Sequence, residues 1–262
     1  SLRIATLNAI AKSITKTNNW KDINLGILSE LKNYLKGFDF DFEIDTIRID
    51  FIKTSKKSKL DTVGRWNKVK PNHQLFLKLQ RRYEAKEITT VHQLEGYNIY
   101  YFNSKKKNYN LATLVMFGLF QYHKAPPPVE IVNSILSIMQ SSVKRGRNLL
   151  NIDICYDMQS IPDIAALKQF YYLTDYRKQG NTFYLNDTNI LSMDRICIYN
   201  KALKNKLDGT LWRIEATVSI PNFNCLALPI NSFIDIINLA KGSCLVHNSD
   251  KSKSFQRVEY GR

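Results

Sequence analysis

FDFDFEIDTIRIDFI, residues 38–52, and NIDICYD, residues 151–157, decide the fold, because both alternate apolar and polar side chains. Successive side chains on a strand point to opposite faces, so this alternation describes half-buried strands rather than helices, whose apolar residues recur every three to four positions. Each stretch carries Ile-Asp pairs at its centre, and similar elements recur around each.

Ahead of the first strand, KDINLGILSELKNYLK (21–36) puts Ile23, Ile27, Leu28, Leu31 and Leu35 on one helical face, with Gly37 as its C-cap. KTSKKSK (53–59) reads as a solvated loop and HQLFLKLQRRYEAK (73–86) as a helix. YNIYYFN (97–103) and LATLVMFGLFQY (111–122) read as strands, Pro126–Pro128 stop the sheet, and VEIVNSILSIMQSSV is a helix starting straight after proline. Beyond NIDICYD, Ser160 or Asp163 caps a helix running through Tyr172. NTFYLN (181–186), MDRICIYNK (193–201) and LWRIEATVSI (211–220) then read as strands, and PINSFIDIINLAKG as a closing helix with Gly242 behind it. Strand, helix, strand, strand, helix thus occurs twice, the second time with an added strand. The expected class is α+β, a mostly antiparallel sheet backed by helices and built from pseudo-duplicated strand-helix-strand-strand units. The expected division is a helical segment 1–37, a basic α+β half 38–147, a second α+β half 148–245 and a basic tail 246–262.

The 262 residues include 38 Lys and Arg against 23 Asp and Glu, a net charge of +15. A surplus of that size attracts polyanions, since each Lys or Arg at a phosphate releases condensed counterions. From Lys53 to Lys86 there are eleven basic residues against two acids, with Trp66, Phe76 and Tyr83 interleaved. Lys53, Lys56, Lys57, Lys59, Arg65, Lys68, Lys70, Arg81 and Arg82 are therefore candidate phosphate contacts, and the aromatics candidate stacking platforms. Lys144, Arg145 and Arg147 form a second cluster just before NIDICYD. No stretch approaches the roughly 18 apolar residues that span a bilayer, and no charged-then-apolar leader pattern opens the chain. Cys155, Cys197, Cys225 and Cys244 show no CxxC pairing. The expected setting is reducing cytoplasm, with no membrane partner.

Candidate chemistry rests on carboxylates carried by strands. Asp153 and Asp157, four apart, project from one face, as do Arg213 and Glu215 in LWRIEATV. Two strands offering acids to one face make a hard, oxygen-lined site suited to Mg²⁺ or Mn²⁺. The same pattern also describes a solvent face on which Asp153 or Glu215 pairs with Arg213 or Arg195. Tyr156, Tyr184 and Tyr199 lie in strands beside acids, where a phenol can attack a phosphodiester that a metal polarises, or can simply pack. His73, His92, His123 and His247 are scattered, so no His-hydrophobe-His metal pair exists. Gly-rich phosphate loops and the GxSxG elbow are also missing, which argues against an ATPase, a dinucleotide enzyme or a serine hydrolase.

The succession NIDICYD, GNTFYLNDTN, MDRICIYNKALKN, LWRIEATV, over roughly residues 148–220, resembles the Rep_trans-type rolling-circle plasmid replication initiators and related relaxases. The resemblance implies a sequence-specific DNA-nicking initiator that forms a phosphotyrosine link to one strand, using a divalent metal. Carried over, Asp153 and Glu215 would be metal ligands with Asp157 a third, Tyr184 or Tyr199 the nucleophile with Tyr184 favoured, and Lys201 and Arg213 would face phosphate. LNDTN (185–189) lacks the Gly and Arg of the family's pattern, and Lys204 stands where the family has an acid. The implied partner is origin or nick-site DNA, partly single-stranded, with a host helicase and a second copy of the chain as further candidates. The competing expectation is a non-catalytic, basic nucleic-acid-binding module of a mobile element.

Overall fold

The computed structural model describes residues 24–82, 88–104, 110–144, 150–176, 182–186, 188–190, 192–220, 227–247 and 255–259. Helix α1 (Leu28–Lys36) precedes the first repeat, which runs β1 (Glu43–Ile52), α2 (Lys53–Leu60), β2 (Trp66–Val69), α3 (Gln74–Arg82), β3 (Ile88–Leu94), β4 (Ile99–Ser104), β5 (Leu111–Phe117) and α4 (Val129–Lys144). The second repeat runs β6 (Leu150–Met158), α5 (Ile164–Phe170), β7 (Thr174–Tyr176), β8 (Thr182–Leu185), β9 (Met193–Asn200), α6 (Lys201–Asn205), β10 (Trp212–Ile220) and α7 (Ala227–Ala240).

One antiparallel ten-stranded sheet takes the order β2-β3-β4-β5-β1-β6-β10-β9-β8-β7. Read outward from the central β1–β6 pair, the two halves match. The first strand of each repeat sits at the centre, the last strand comes next, and the remaining three step out in reverse order. Each repeat thus holds five strands and three helices, one helix after the first strand, one among the later strands and one closing, which makes the duplication fuller than the alternation predicts. The unexpected strands are β2, β3 and β7, two of them at the sheet's edges. The two halves of the expected division share this sheet and one hydrophobic cluster, with a second cluster in the first half alone.

That core lies on one face. Ile44, Ile47, Ile49 and Phe51 of β1, Ile152 and Ile154 of β6, and Ile214, Ala216 and Val218 of β10 pack beneath α1, α4 and α7. Each of the larger aliphatic side chains here contributes about 1.5–3 kcal/mol by leaving water. Ile154, fully buried, would lose about 2–5 kcal/mol as alanine. Over the first repeat the opposite face is also covered, because Phe76 and Leu79 of α3 pack on Val69, Val91, Tyr100, Phe102, Val115 and Phe117. Over β1, β6, β10 and β9 that face carries polar residues instead.

Several expectations need correction. KTSKKSK is helix α2, not a loop, because Leu60 anchors one side of it in the core and Lys56 is buried. The first helix starts at Leu28, residues 21–23 lying outside the described ones, and Gly37 caps it in the right-handed region while Asp39 takes the left-handed turn at φ 53°. Asp163, rather than Ser160, caps α5 through its bond from the Ala166 N–H, and that helix ends at Phe170. Within the tail, β12 (Phe255–Glu259) pairs with β11 (Ser243–His247). No helix among the described residues is long and apolar enough to cross a membrane.

Candidate functional site

The polar face of the sheet's second half is laid out in rows by strand register. Thr46, Asp153, Thr217 and Arg195 form one row across β1, β6, β10 and β9. The next row carries Cys155, Glu215, Cys197 and, on β8, Tyr184. The third carries Asp157, Arg213 and Tyr199. Alternation on β6 and β10 therefore does bring Asp153, Glu215 and Arg213 to one face, together with both candidate tyrosines.

A further acid arrives through a β-bulge. The β1–β6 register shifts between Ile44 and Thr46, so Asp45 is an extra residue whose side chain joins Thr46 on the polar face. A matching shift on β9 skips Asp194, whose carboxylate joins the same face beside Arg195. Bulges re-aim side chains in a way that period-two reading cannot see, and both acids were missed for that reason.

Arg213 sits at the centre of the third row with no exposure. Its Nε donates to Asp157 Oδ1 at 2.6 Å, one terminal nitrogen to Asp157 Oδ2 at 2.7 Å, and the other to Asp45 Oδ1 at 3.0 Å and the Phe120 carbonyl at 3.1 Å. Tyr122 Oη also donates to Asp157 Oδ2 at 2.7 Å. Asp157 is thus committed to Arg213, and Asp153, Asp157 and Glu215 do not form one ligand set. Among the described residues no three His, Cys, Asp or Glu side chains form a ready-made metal shell.

Glu215 accepts from Tyr199 Oη at 2.6 Å, and Asp153 accepts from Thr217 Oγ1 at 2.7 Å. Burial, then the neighbouring Glu215 carboxylate, pushes the Asp45 carboxyl up to about 6, partly opposed by Arg213 and Lys201. Burial and Glu215 likewise push the Tyr199 phenol well above its ordinary value, so it stays a proton donor. Lys201, expected to face phosphate, is 2% exposed. Burial and Arg213 lower its pKa, while Asp45, Glu215 and Asp157 hold it charged. Lys201 and Arg213 therefore neutralise the acids from within. Asp45, Tyr199, Lys201 and Glu215 line a groove together with exposed Lys124 and Lys204, Lys204 Nζ lying 4.1 Å from the Tyr199 ring centroid.

The long basic stretch lies elsewhere. Burial, then Lys57 and Lys68 and more weakly Lys53, depress His92, which stacks on Tyr101 at 4.7 Å, and Tyr101 belongs to the helix-covered core. Lys57, Lys59, Arg65, Lys68 and Lys70 are exposed, but the register His92–Tyr101–Leu114–Ile49 puts His92 on the helix-covered face, opposite the acids. The side chains of Arg81, Arg82 and Lys144 and all of Arg145 and Arg147 lie outside the described residues. No protein-family model, no curated protein and no solved structure matches the chain.

Proposed function

We propose that the chain nicks one strand of DNA on the polar sheet face, with Tyr184 as nucleophile and the Asp45–Asp153–Glu215 acids as its reaction centre. The observation that carries the reading is the gathering of these carboxylates and two tyrosines on one face, with cations at both ends: exposed Lys124 and Lys204 at one, half-buried Arg48 and Arg195 at the other.

Tyr184 is the better nucleophile on accessibility. It is half-buried, two strand spacings from Glu215 in the same row, about 10 Å between Cα atoms. Tyr199 is 5% exposed and its proton is committed to Glu215, so it positions that carboxylate instead. In the step, the Tyr184 phenol oxygen bonds to phosphorus as the P–O3′ bond breaks. The phenolic proton passes to a carboxylate of the site, which hands it on to the departing 3′ oxygen so that this leaves as a hydroxyl, and a phosphodiester is exchanged for a phosphotyrosine ester. The donors fit a Mg²⁺ or Mn²⁺ that draws part of its shell from water and phosphate. Such an ion would offset the Glu215 repulsion that adds to burial in raising Asp45, and when bound it would polarise the phosphoryl oxygen. A non-catalytic binding sheet is the second reading, favoured by the internal neutralisation through Arg213 and Lys201.

Glu215→Gln separates them. With Mn²⁺ and labelled single-stranded DNA, the variant should lose cleavage and keep affinity within a few-fold. Wild type that binds DNA and cleaves none under these conditions leaves only the binding sheet.

A further inference from the structure

We infer that the exposed ring of Tyr122 is a stacking platform for one unpaired base of the DNA strand; the inference rests on the nucleic-acid reading above and adds how the strand is gripped beside the acids. Residues 118–122, which follow β5, are pinned by hydrogen bonds to β1, β10 and β6. The Leu119 N–H donates to the Asp45 carbonyl at 2.9 Å, and Gln121 Nε2 to Asp45 Oδ1 at 3.1 Å. The Phe120 carbonyl accepts from an Arg213 terminal nitrogen at 3.1 Å, and Tyr122 Oη donates to Asp157 Oδ2 at 2.7 Å. Ring contacts run outward from the same arginine. Its guanidinium carbon lies 5.1 Å from the Phe120 ring centroid, and the Phe120 and Tyr122 rings meet edge-to-face at 5.3 Å. Such a contact takes up at most one face of the Tyr122 ring, and the residue remains 49% exposed.

A single aromatic side chain on a protein surface is ordinary. This one is distinguished by its fixed orientation and its setting. The Asp157 bond and the Phe120 contact hold the ring in place, so little side-chain freedom is lost when a base stacks on it. Its chain neighbours Gln121 and His123 line the groove that holds Asp45, Tyr199 and Glu215, and exposed Lys124 and Lys204 line it too. An aromatic face beside a cation-bearing groove suits a single strand, whose bases stack on the ring while its phosphates meet the cations. In a duplex the base faces are covered by their neighbours, so the platform takes an unpaired base. Stacking needs only a π face, which makes the contact tolerant of sequence. Asp157, the anchor, lies two residues along β6 from Cys155, the partner of Glu215 in register. The platform is thus tied down one row, roughly 7 Å along the strand, from the acid of the reaction centre.

The test is fluorescence anisotropy with a short all-thymine strand, and with the same strand carrying one abasic site at each position in turn. In wild type one position should stand out, its abasic strand binding roughly 5- to 150-fold more weakly, the range one stacked base supplies. Tyr122→Leu should weaken binding of the intact strand by the same factor and show no loss at that position. Tyr122→Phe gives up the Asp157 bond but keeps the ring, and should stay within a few-fold of wild type. Equal binding of every abasic strand overturns the platform, as does a loss at the marked position that survives in Tyr122→Leu. A Tyr122→Phe variant as weak as Tyr122→Leu overturns it too, since the hydroxyl and not the ring would then matter. Should Tyr122→Leu fail to fold, Tyr122→Trp decides: its emission in excess of wild type should be quenched by the intact strand, and an unquenched signal contradicts stacking. Binding that ignores missing bases sinks this inference alone, whereas no binding to any strand brings down the proposed function with it.

Discussion

Tyr199 Oη donates to Glu215 Oε1 at 2.6 Å, and both side chains are almost wholly buried on the polar face of the sheet. A hydrogen bond to a buried carboxylate contributes about 1.5–3 kcal/mol. Tyr199→Phe should therefore destabilise the fold by about 2 kcal/mol in urea denaturation. An unchanged midpoint would mean that Glu215 finds another donor.

Arg213 is the more severe case. Breaking a buried ion pair by removing one partner costs about 3–5 kcal/mol, because the carboxylates left behind are uncompensated. Arg213→Met strips Asp157 of two bonds and Asp45 of one, and should destabilise by that amount. Arg213→Lys should recover little, since an ammonium cannot reproduce the two-point pairing with Asp157. Denaturation midpoints of the three proteins check the order.

The Asp45 carboxyl gives a pH signature. Its folded pKa, about 6, lies above its ordinary 3.8, so the folded state binds the proton more tightly than the unfolded chain. That contribution is present in full below pH 4 and is lost as pH rises through 6. Asp45→Asn keeps an oxygen for the Gln121 and Arg213 donors but cannot ionise. Relative to wild type it should gain roughly 1–3 kcal/mol between pH 4 and pH 7. A constant difference across that range would show that Asp45 is not titrating there.

Much of this site was legible in the sequence and part of it could not be. Period-two alternation placed Asp153, Arg213 and Glu215 on one face, as the register of β6 and β10 has it. It could not show that Arg213 lies directly opposite Asp157, and that pairing removes Asp157 from any ligand set. Asp45 and Asp194 were lost to bulges, where one extra residue reverses the expected face. Helix α2 was lost because its polar run is anchored by little more than Leu60, and β2 and β3 because strands near a sheet edge mix apolar with polar residues.

Strand binding should depend on salt through the cations of the polar face. If Arg48, Lys124, Arg195 and Lys204 each meet a phosphate, log affinity for single-stranded DNA should fall with log salt at a slope of about −3. Lys124→Gln with Lys204→Gln should flatten that slope by about 1 to 1.5. Lys57→Gln with Lys68→Gln, on the other face, should leave it unchanged if the strand lies in the groove. The reverse result would move the interface to the helix-covered side.

The central claim is that a tyrosine of this face bonds covalently to DNA, and adduct formation measures it directly. Wild type incubated with labelled single-stranded DNA and Mn²⁺ should yield a protein–DNA band that survives denaturation, and peptide mapping should place the label on Tyr184. Tyr184→Phe should yield none, while Tyr199→Phe should still yield it at a reduced rate. An adduct that persists in Tyr184→Phe, or its absence from wild type that binds the same DNA, would contradict the account.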